Sequence, residues 1–147
     1  EIIIFFVISI SFLSPDFVLN KFYPKYNYLE LDKIQNIKLD PKKEVRIKVT
    51  RVSEYGERYK LFVIEKNTFG NQYNLDEYGI NLINEEDKIL VDTIKWNGNA
   101  KKDGMEMGDY ITEFKIENSN RPNKKLVYPI ALFLLLVFGY LNKRRTS

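Results

Sequence analysis

The chain has 147 residues, room for one modest domain with accessories, and carries 23 Lys and Arg against 20 Asp and Glu. Lys143, Arg144 and Arg145 account for the whole net charge of +3, so no basic excess is left for nucleic acid, and nucleic acid is not expected as a partner. There is no cysteine and no histidine, which excludes disulfides, thiolate nucleophiles, zinc sites and imidazole acid–base catalysis. No catalytic residue, metal or cofactor is expected.

The chain starts at Glu1, directly in front of an apolar run, as expected for the C-terminal part of a longer protein. Residues 2–13 (IIIFFVISISFL) carry no charge. Twelve residues cannot cross a hydrocarbon core that needs roughly 20 in a helix. Residues 1–13 are therefore expected to end a transmembrane helix that begins upstream. The alternatives are a buried core strand or a signal peptide, and the basic residues and small residues of a signal peptide are absent.

Residues 14–43 read as an interfacial or amphipathic connector. Phe17, Phe22, Tyr23, Tyr26 and Tyr28 suit the headgroup level of a bilayer, or else anchor on a neighbouring domain. Leu29, Leu31, Ile34, Ile37 and Leu39 fit a short amphipathic helix between Pro24 and Pro41.

Residues 45–52 (VRIKVTRV) alternate with period two, a half-buried strand. Glu54-Tyr55-Gly56-Glu57 supplies a turn and residues 59–64 return as a second strand. Residues 67–76 (NTFGNQYNLD) are expected to be loop. Ile80 and Leu82 mark a short strand, residues 84–87 a charged hairpin tip, and residues 88–95 its partner, with Ile89, Val91 and Ile94 inward. Glu85, Glu86 and Asp87 form a carboxylate cluster that is most simply solvated. Asn99 is expected to cap a short helix over residues 100–103, with Gly104 ending it in a left-handed conformation. Gly108-Asp109 turns into a strand at residues 110–116, Asp109 hydrogen-bonding the backbone of its own turn.

Residues 118–125 form a polar linker. Residues 126–142 open with LVYPIALFLLLVFGYL, sixteen residues without charge that Lys125 and Asn142 can extend by snorkelling, and are expected to cross a membrane. Pro129 is tolerated in a first helical turn. Residues 143–147 then form a basic tail, and Lys143, Arg144 and Arg145 favour a cytoplasmic C-terminus. With residues 1–13 also spanning, residues 14–125 fall on the other side, the periplasmic side of a bacterial inner membrane.

Residues 44–117 resemble a PDZ domain. The resemblance rests on the glycine-bearing turn and strand Gly79-Ile80-Asn81-Leu82, the strand end ILVDTI, and the spacing from Ala100 through Gly104 to Gly108-Asp109. It implies an α+β, mainly β fold: a small, partly open β-barrel or sandwich, flanked here by transmembrane helices. It also implies that Gly79, Ile80, Asn81 and Leu82 cradle a peptide carboxylate, while Ala100, Gly104, Gly108 and Asp109 are structural. After Ile116 the chain enters the linker, leaving no room for the helix that closes a PDZ peptide groove.

The whole order of segments, with Pro15-Asp16-Phe17, Leu90-Val91-Asp92, Tyr128-Pro129-Ile130-Ala131-Leu132 and the basic end, resembles the C-terminal region of fused permease subunits of TRAP (tripartite ATP-independent periplasmic) transporters. That resemblance implies secondary transport of organic acids such as C4-dicarboxylates. Its partners would be the lipid bilayer, the remainder of the permease and a periplasmic solute-binding protein. On that reading the middle unit makes protein contacts or braces helices and is not an enzyme. The other reading is a membrane-tethered PDZ module that binds protein C-termini, as in membrane quality-control proteases.

Overall fold

The computed structural model describes residues 2–85 and 88–146. Glu86 and Asp87, two of the three hairpin-tip carboxylates, lie outside the described residues. In chain order the elements are α1 (Ile2–Leu13), α2 (Pro15–Phe22), β1 (Tyr26–Leu29), β2 (Val45–Ser53), β3 (Gly56–Ile64), α3 (Leu75–Tyr78), β4 (Ile80–Glu85), β5 (Lys88–Ile94), α4 (Asn99–Lys102), β6 (Tyr110–Glu117) and α5 (Val127–Thr146). Single 3-10 turns cover Leu31–Lys33 and Lys124–Leu126. The chain divides into two compact units, a sheet unit of Tyr26–Glu117 and a helical unit made of Glu1–Lys25 with Asn118–Ser147.

The sheet unit is α+β, built on one six-stranded antiparallel sheet of order β3-β2-β6-β5-β4, with β1 also pairing with β6. This corrects the expectation of a partly open barrel or sandwich: there is one open sheet. Its inner face carries Val45, Ile47 and Val49 of β2, Phe62 and Ile64 of β3, Ile89 and Val91 of β5, and Ile111 and Phe114 of β6, all buried. Residues 30–43 and the short helices α3 and α4 cover that face.

Strand β6 shows how an irregular pattern is accommodated. Ile111 and Phe114 are three residues apart, which strict alternation would put on opposite faces. A register shift against β2 between Lys48 and Val49 absorbs the extra residue, so Val49 meets Ile111 and Ile47 meets Phe114, all four inward. Val52, one step beyond the alternating part of β2, is exposed.

Residues 29–39 do not form the expected helix. Tyr26–Leu29 is strand, Leu31–Lys33 a single 3-10 turn, and Leu39 makes an isolated bridge to Tyr73. The same apolar residues nonetheless reach the core: Ile34 and Leu39 are buried and Leu29, Leu31 and Ile37 pack against it. The cause is β6, whose outer positions bind Tyr26–Leu29 as a strand and so override the helical spacing. Tyr26 and Tyr28 accordingly belong to the sheet and not to a stretch beside the apolar run.

The stretch expected as loop at 67–76 runs into α3. Asn74 caps it, its Oδ1 accepting from the Glu77 N–H at 2.9 Å. Gly98, rather than Asn99, occupies the cap position of α4, and Asn99 is its first helical residue. Tyr78 Oη donates to Asp103 at 2.6 Å, linking the end of α3 to the end of α4, and burial first and then that carboxylate hold the phenol well above its ordinary value.

In the helical unit α1 and α5 pack along one another, with Phe5 edge-on to Phe138 at 5.0 Å between ring centroids. The chain bends by 102° between α1 and α2 at Ser14-Pro15. Arg121 donates from Nη2 to Asp16 Oδ1 at 2.6 Å and from Nη1 to Asn20 Oδ1 at 2.7 Å, pinning the polar linker to α2. The Lys124–Arg144 helix is long and apolar enough to cross a membrane; α1 reaches that test only if counted together with α2 across the bend. Residues 143–145 continue α5 instead of forming a separate tail.

Gly79 and Gly98 lie backbone against backbone in the sheet unit. A Cβ on Gly98 would lie 3.0 Å from Gly79 Cα and 3.1 Å from Lys95 O. Gly98→Ala is therefore expected to destabilise the sheet unit by about 2–3 kcal/mol, since backbone rather than a flexible side chain must move. Gly70→Ala, where a Cβ meets nothing within 4 Å, should change stability by less than about 0.5 kcal/mol. Urea unfolding followed by far-ultraviolet circular dichroism compares the two.

Candidate functional site

The expected carboxylate cradle proves to be a helix end. Gly79 sits at φ +104°, left-handed, as the C-cap of α3, and its N–H donates to Leu75 O at 3.0 Å and Asp76 O at 3.1 Å. Its carbonyl accepts from the Lys95 N–H at 2.9 Å, and Gly98 lies against its Cα. Ile80 is buried in the core, Asn81 is exposed and Leu82 is half-buried. Gln35 Nε2 donates to Leu82 O at 3.3 Å and to Asn84 Oδ1 at 3.2 Å, covering part of the outer edge of β4. The turn is already filled by the chain's own backbone, and Gly79 keeps no N–H for a ligand.

Ala100, Gly104, Gly108 and Asp109 are brought together as a structural lock. Ala100 is fully buried, and Gly104 and Gly108 have φ of +86° and +85°. Asp109 is 0% exposed and accepts three hydrogen bonds: from Arg51 Nε at 2.6 Å, from Arg51 Nη2 at 2.7 Å and from the Glu106 N–H at 2.9 Å. The last of these is the bond to its own turn that the sequence implied. Arg51 also donates to Gly104 O at 3.2 Å and pairs with Glu106 at 2.5 Å. Hydrogen bonding to Asp109 holds the guanidinium above its ordinary value, against the opposing effect of burial. The partner was not legible in sequence because Arg51 lies 58 residues away in a strand that alternates like any other.

The outer face of the sheet is the surface with chemistry to offer. Strand alternation puts Tyr26 and Tyr28 of β1, Arg46 and Lys48 of β2, Tyr59, Leu61 and Val63 of β3, and Tyr110, Glu113 and Lys115 of β6 on it. Four tyrosine rings each lie under a cation: Arg46 over Tyr26 at 4.4 Å, Lys115 over Tyr28 at 4.6 Å, Lys88 over Tyr110 at 4.8 Å and Lys48 over Tyr59 at 5.3 Å. A shallow cleft of about 320 Å³ opens there, with Arg46, Lys48, Lys60 and Lys115 around the Glu113 carboxylate and Tyr59 and Leu61 beside them. Lys48 Nζ donates to Glu113 at 2.9 Å and Lys115 pairs with the other oxygen. Arg46 Nε donates to Glu44 at 2.7 Å, and Tyr26 Oη donates to the same oxygen at 2.5 Å. Four cations against one carboxylate leave the cleft electropositive. It can hold anionic groups. No group of carboxylates suited to a metal ion occurs among the described residues.

A family model described as a domain of unknown function (DUF3394) matches residues 1–147, and the chain belongs to that family. No curated protein and no solved structure matches it.

Two outcomes follow from these contacts. Arg51→Ala leaves Asp109 buried without its charge partner and should cost about 3 kcal/mol, with Arg51→Lys intermediate because an ammonium cannot reproduce the two-pronged contact; urea midpoints measure both. Glu113 is held below the usual 4.5 by hydrogen bonds from Lys115 and then Lys48, outweighing burial. A depressed native value stabilises above the unfolded value, and that contribution is lost as pH falls from 4.5 through the native value. In a Lys48→Met/Lys115→Met variant the Glu113 carboxyl should titrate at higher pH in carbon-13 spectra, and the acid-side loss of stability should shrink.

Proposed function

We propose that this member of the family is a non-enzymatic contact module inserted between membrane segments, the C-terminal accessory region of a TRAP-type permease for organic acids. The observation that carries the inserted-module reading is the pairing of Tyr26 with Glu117. The first and last residues of the sheet unit are register partners on adjacent strands. A unit whose ends leave side by side can be placed between two helices of a membrane protein without separating them.

The helical unit supports the membrane part. Ile3, Phe6 and Leu13 of α1 and Ile130, Phe133, Leu136 and Tyr140 of α5 are each between 61% and 85% exposed. A helix pair apolar on its outer as well as its inner faces is suited to lipid and not to water. Phe17, Phe22 and Tyr23 are exposed around the short helix α2, which suits the bilayer interface. The basic residues 143–145 favour the cytoplasm, and the sheet unit then lies on the periplasmic side, able to meet a solute-binding protein. The TRAP-type assignment itself rests on the order of segments that the sequence shares with those permeases. PDZ-like describes the order strand, short helix, glycine turns and strand in residues 79–117. The alternative of a module that captures protein C-termini through Gly79–Leu82 would have to do without the Gly79 N–H, which is bonded to Leu75 and Asp76.

Two measurements on the whole membrane protein test this. The described chain has no cysteine, so Trp96→Cys, at a position 84% exposed, should react with an impermeant maleimide from the periplasmic side, and Arg144→Cys should not. Reversed labelling removes the topology. Replacing residues 26–117 by a short Gly-Ser linker should leave insertion intact and lower uptake or affinity for the binding protein; unchanged uptake and affinity would remove the accessory role.

A further inference from the structure

We infer that the sheet unit docks an extended, acidic segment of a partner protein along β3, as an added seventh strand. The inference rests on the contact-module reading and names the surface that makes the contact.

Strand β3 ends the sheet. It runs nine residues, Gly56–Ile64, and β2 is its strand partner. Its far side therefore presents backbone N–H and C=O groups in a row, the template that an incoming strand uses. The opposite end of the sheet is less open, because Gln35 reaches Leu82 O and Asn84 on β4.

Charge decides what the edge accepts. Arg58 and Lys60 both lie on β3, and neither makes an ion pair among the described residues. Lys60 also lines the cleft with Arg46, Lys48 and Lys115, whose own strand positions have the opposite parity. A second copy of β3 would set Arg58 and Lys60 toward the same basic residues across the seam, and like charges on neighbouring strands are unfavourable. An acidic strand meets the opposite situation.

The pattern of the occupant follows from alternation. Tyr59, Leu61 and Val63 point to the outer face and are 64%, 55% and 38% exposed. Arg58 and Lys60 have the other parity. The complementary segment alternates apolar residues, which cover Tyr59, Leu61 and Val63, with Asp or Glu, which lie beside Arg58 and Lys60. A free small anion is a poorer fit, since an exposed ion pair adds at most about fivefold to affinity and the shallow cleft offers no enclosure. A segment joins several such pairs to a row of backbone hydrogen bonds.

The probe is a ten-residue peptide of alternating Glu and Val, blocked at both ends so that no terminal carboxylate is present. It is titrated into the whole chain in detergent micelles and followed by proton–nitrogen NMR. Shifts should concentrate on residues 58–64. The dissociation constant should rise about fivefold in Lys60→Glu, and similarly on raising salt from low to about half-molar. Lys60→Glu lies at an exposed edge position, and an unchanged spectrum elsewhere confirms that it folds. No shift at millimolar peptide would overturn the inference. So would shifts centred on residues 80–85, equal shifts from a peptide with Lys in place of Glu, or equal shifts from free succinate. The permease reading fails separately: an unchanged uptake after deletion removes it while peptide binding at β3 stands, and a silent peptide titration leaves the deletion result untouched.

Discussion

Strand β6 carries more of the sheet unit than any other element, because three strands pair with it. β2 runs along one side, and β1 and β5 share the other, β1 at residues 114–117 and β5 at residues 110–111. The pairings of β6 with β1 and β2 join residues 60 to 91 positions apart, and Arg51 and Asp109, 58 apart, meet beside its first residue. Such non-local contacts must close long loops before they return any stabilisation. The unit consequently cannot settle its centre until its last strand is present, and when it does, its two ends come together.

Two kinds of polar contact then divide the work. Arg51 and Asp109 form a satisfied, nearly dry pair at the start of β6, where loss of one partner strands a buried charge at a cost of about 3–5 kcal/mol. The outer face is different. Lys48–Glu113 and Arg46–Glu44 are partly exposed, and pairs of that kind contribute about 0–1 kcal/mol each. The cations above four tyrosines are similarly modest, about 0.5–1 kcal/mol apiece. The face is thus organised without being expensive to reorganise, and its ion pairs can be exchanged for a partner's at little cost.

Much of this was legible in the sequence. Period-two alternation located β2, and the glycines located the left-handed turns at Gly104 and Gly108, because only the local chain decides those features. Residues 79–117 contain the strands β4, β5 and β6 and the helix α4 in the expected order. What sequence could not reveal depended on distant partners. Residues 29–39 carry a helical spacing, yet β6 takes their first residues as a strand. Gly79 fits a carboxylate turn by pattern, but whether its N–H is free depends on α3, hidden in a stretch of Asn, Gly and Gln that reads as loop. The cleft was invisible for the same reason: Arg46, Lys48, Glu113 and Lys115 are ordinary solvent-face residues of two strands until the register sets them side by side.

The apolar exposure in the two units differs in kind. On α1 and α5 the exposed residues are mostly Ile, Phe, Leu and Val, with Ser9, Tyr128 and Tyr140 among them. On β3 the exposed Tyr59, Leu61 and Val63 alternate with Arg58 and Lys60, and among the described residues β2 is the only strand paired with it. Lipid gains nothing from alternation or from a row of N–H groups, because it offers neither a fixed spacing nor a strand. A polypeptide offers both. The helical pair thus carries apolar residues outward along its length, whereas β3 alternates apolar with basic residues at the end of the sheet, a spacing and charge that a polypeptide strand can match.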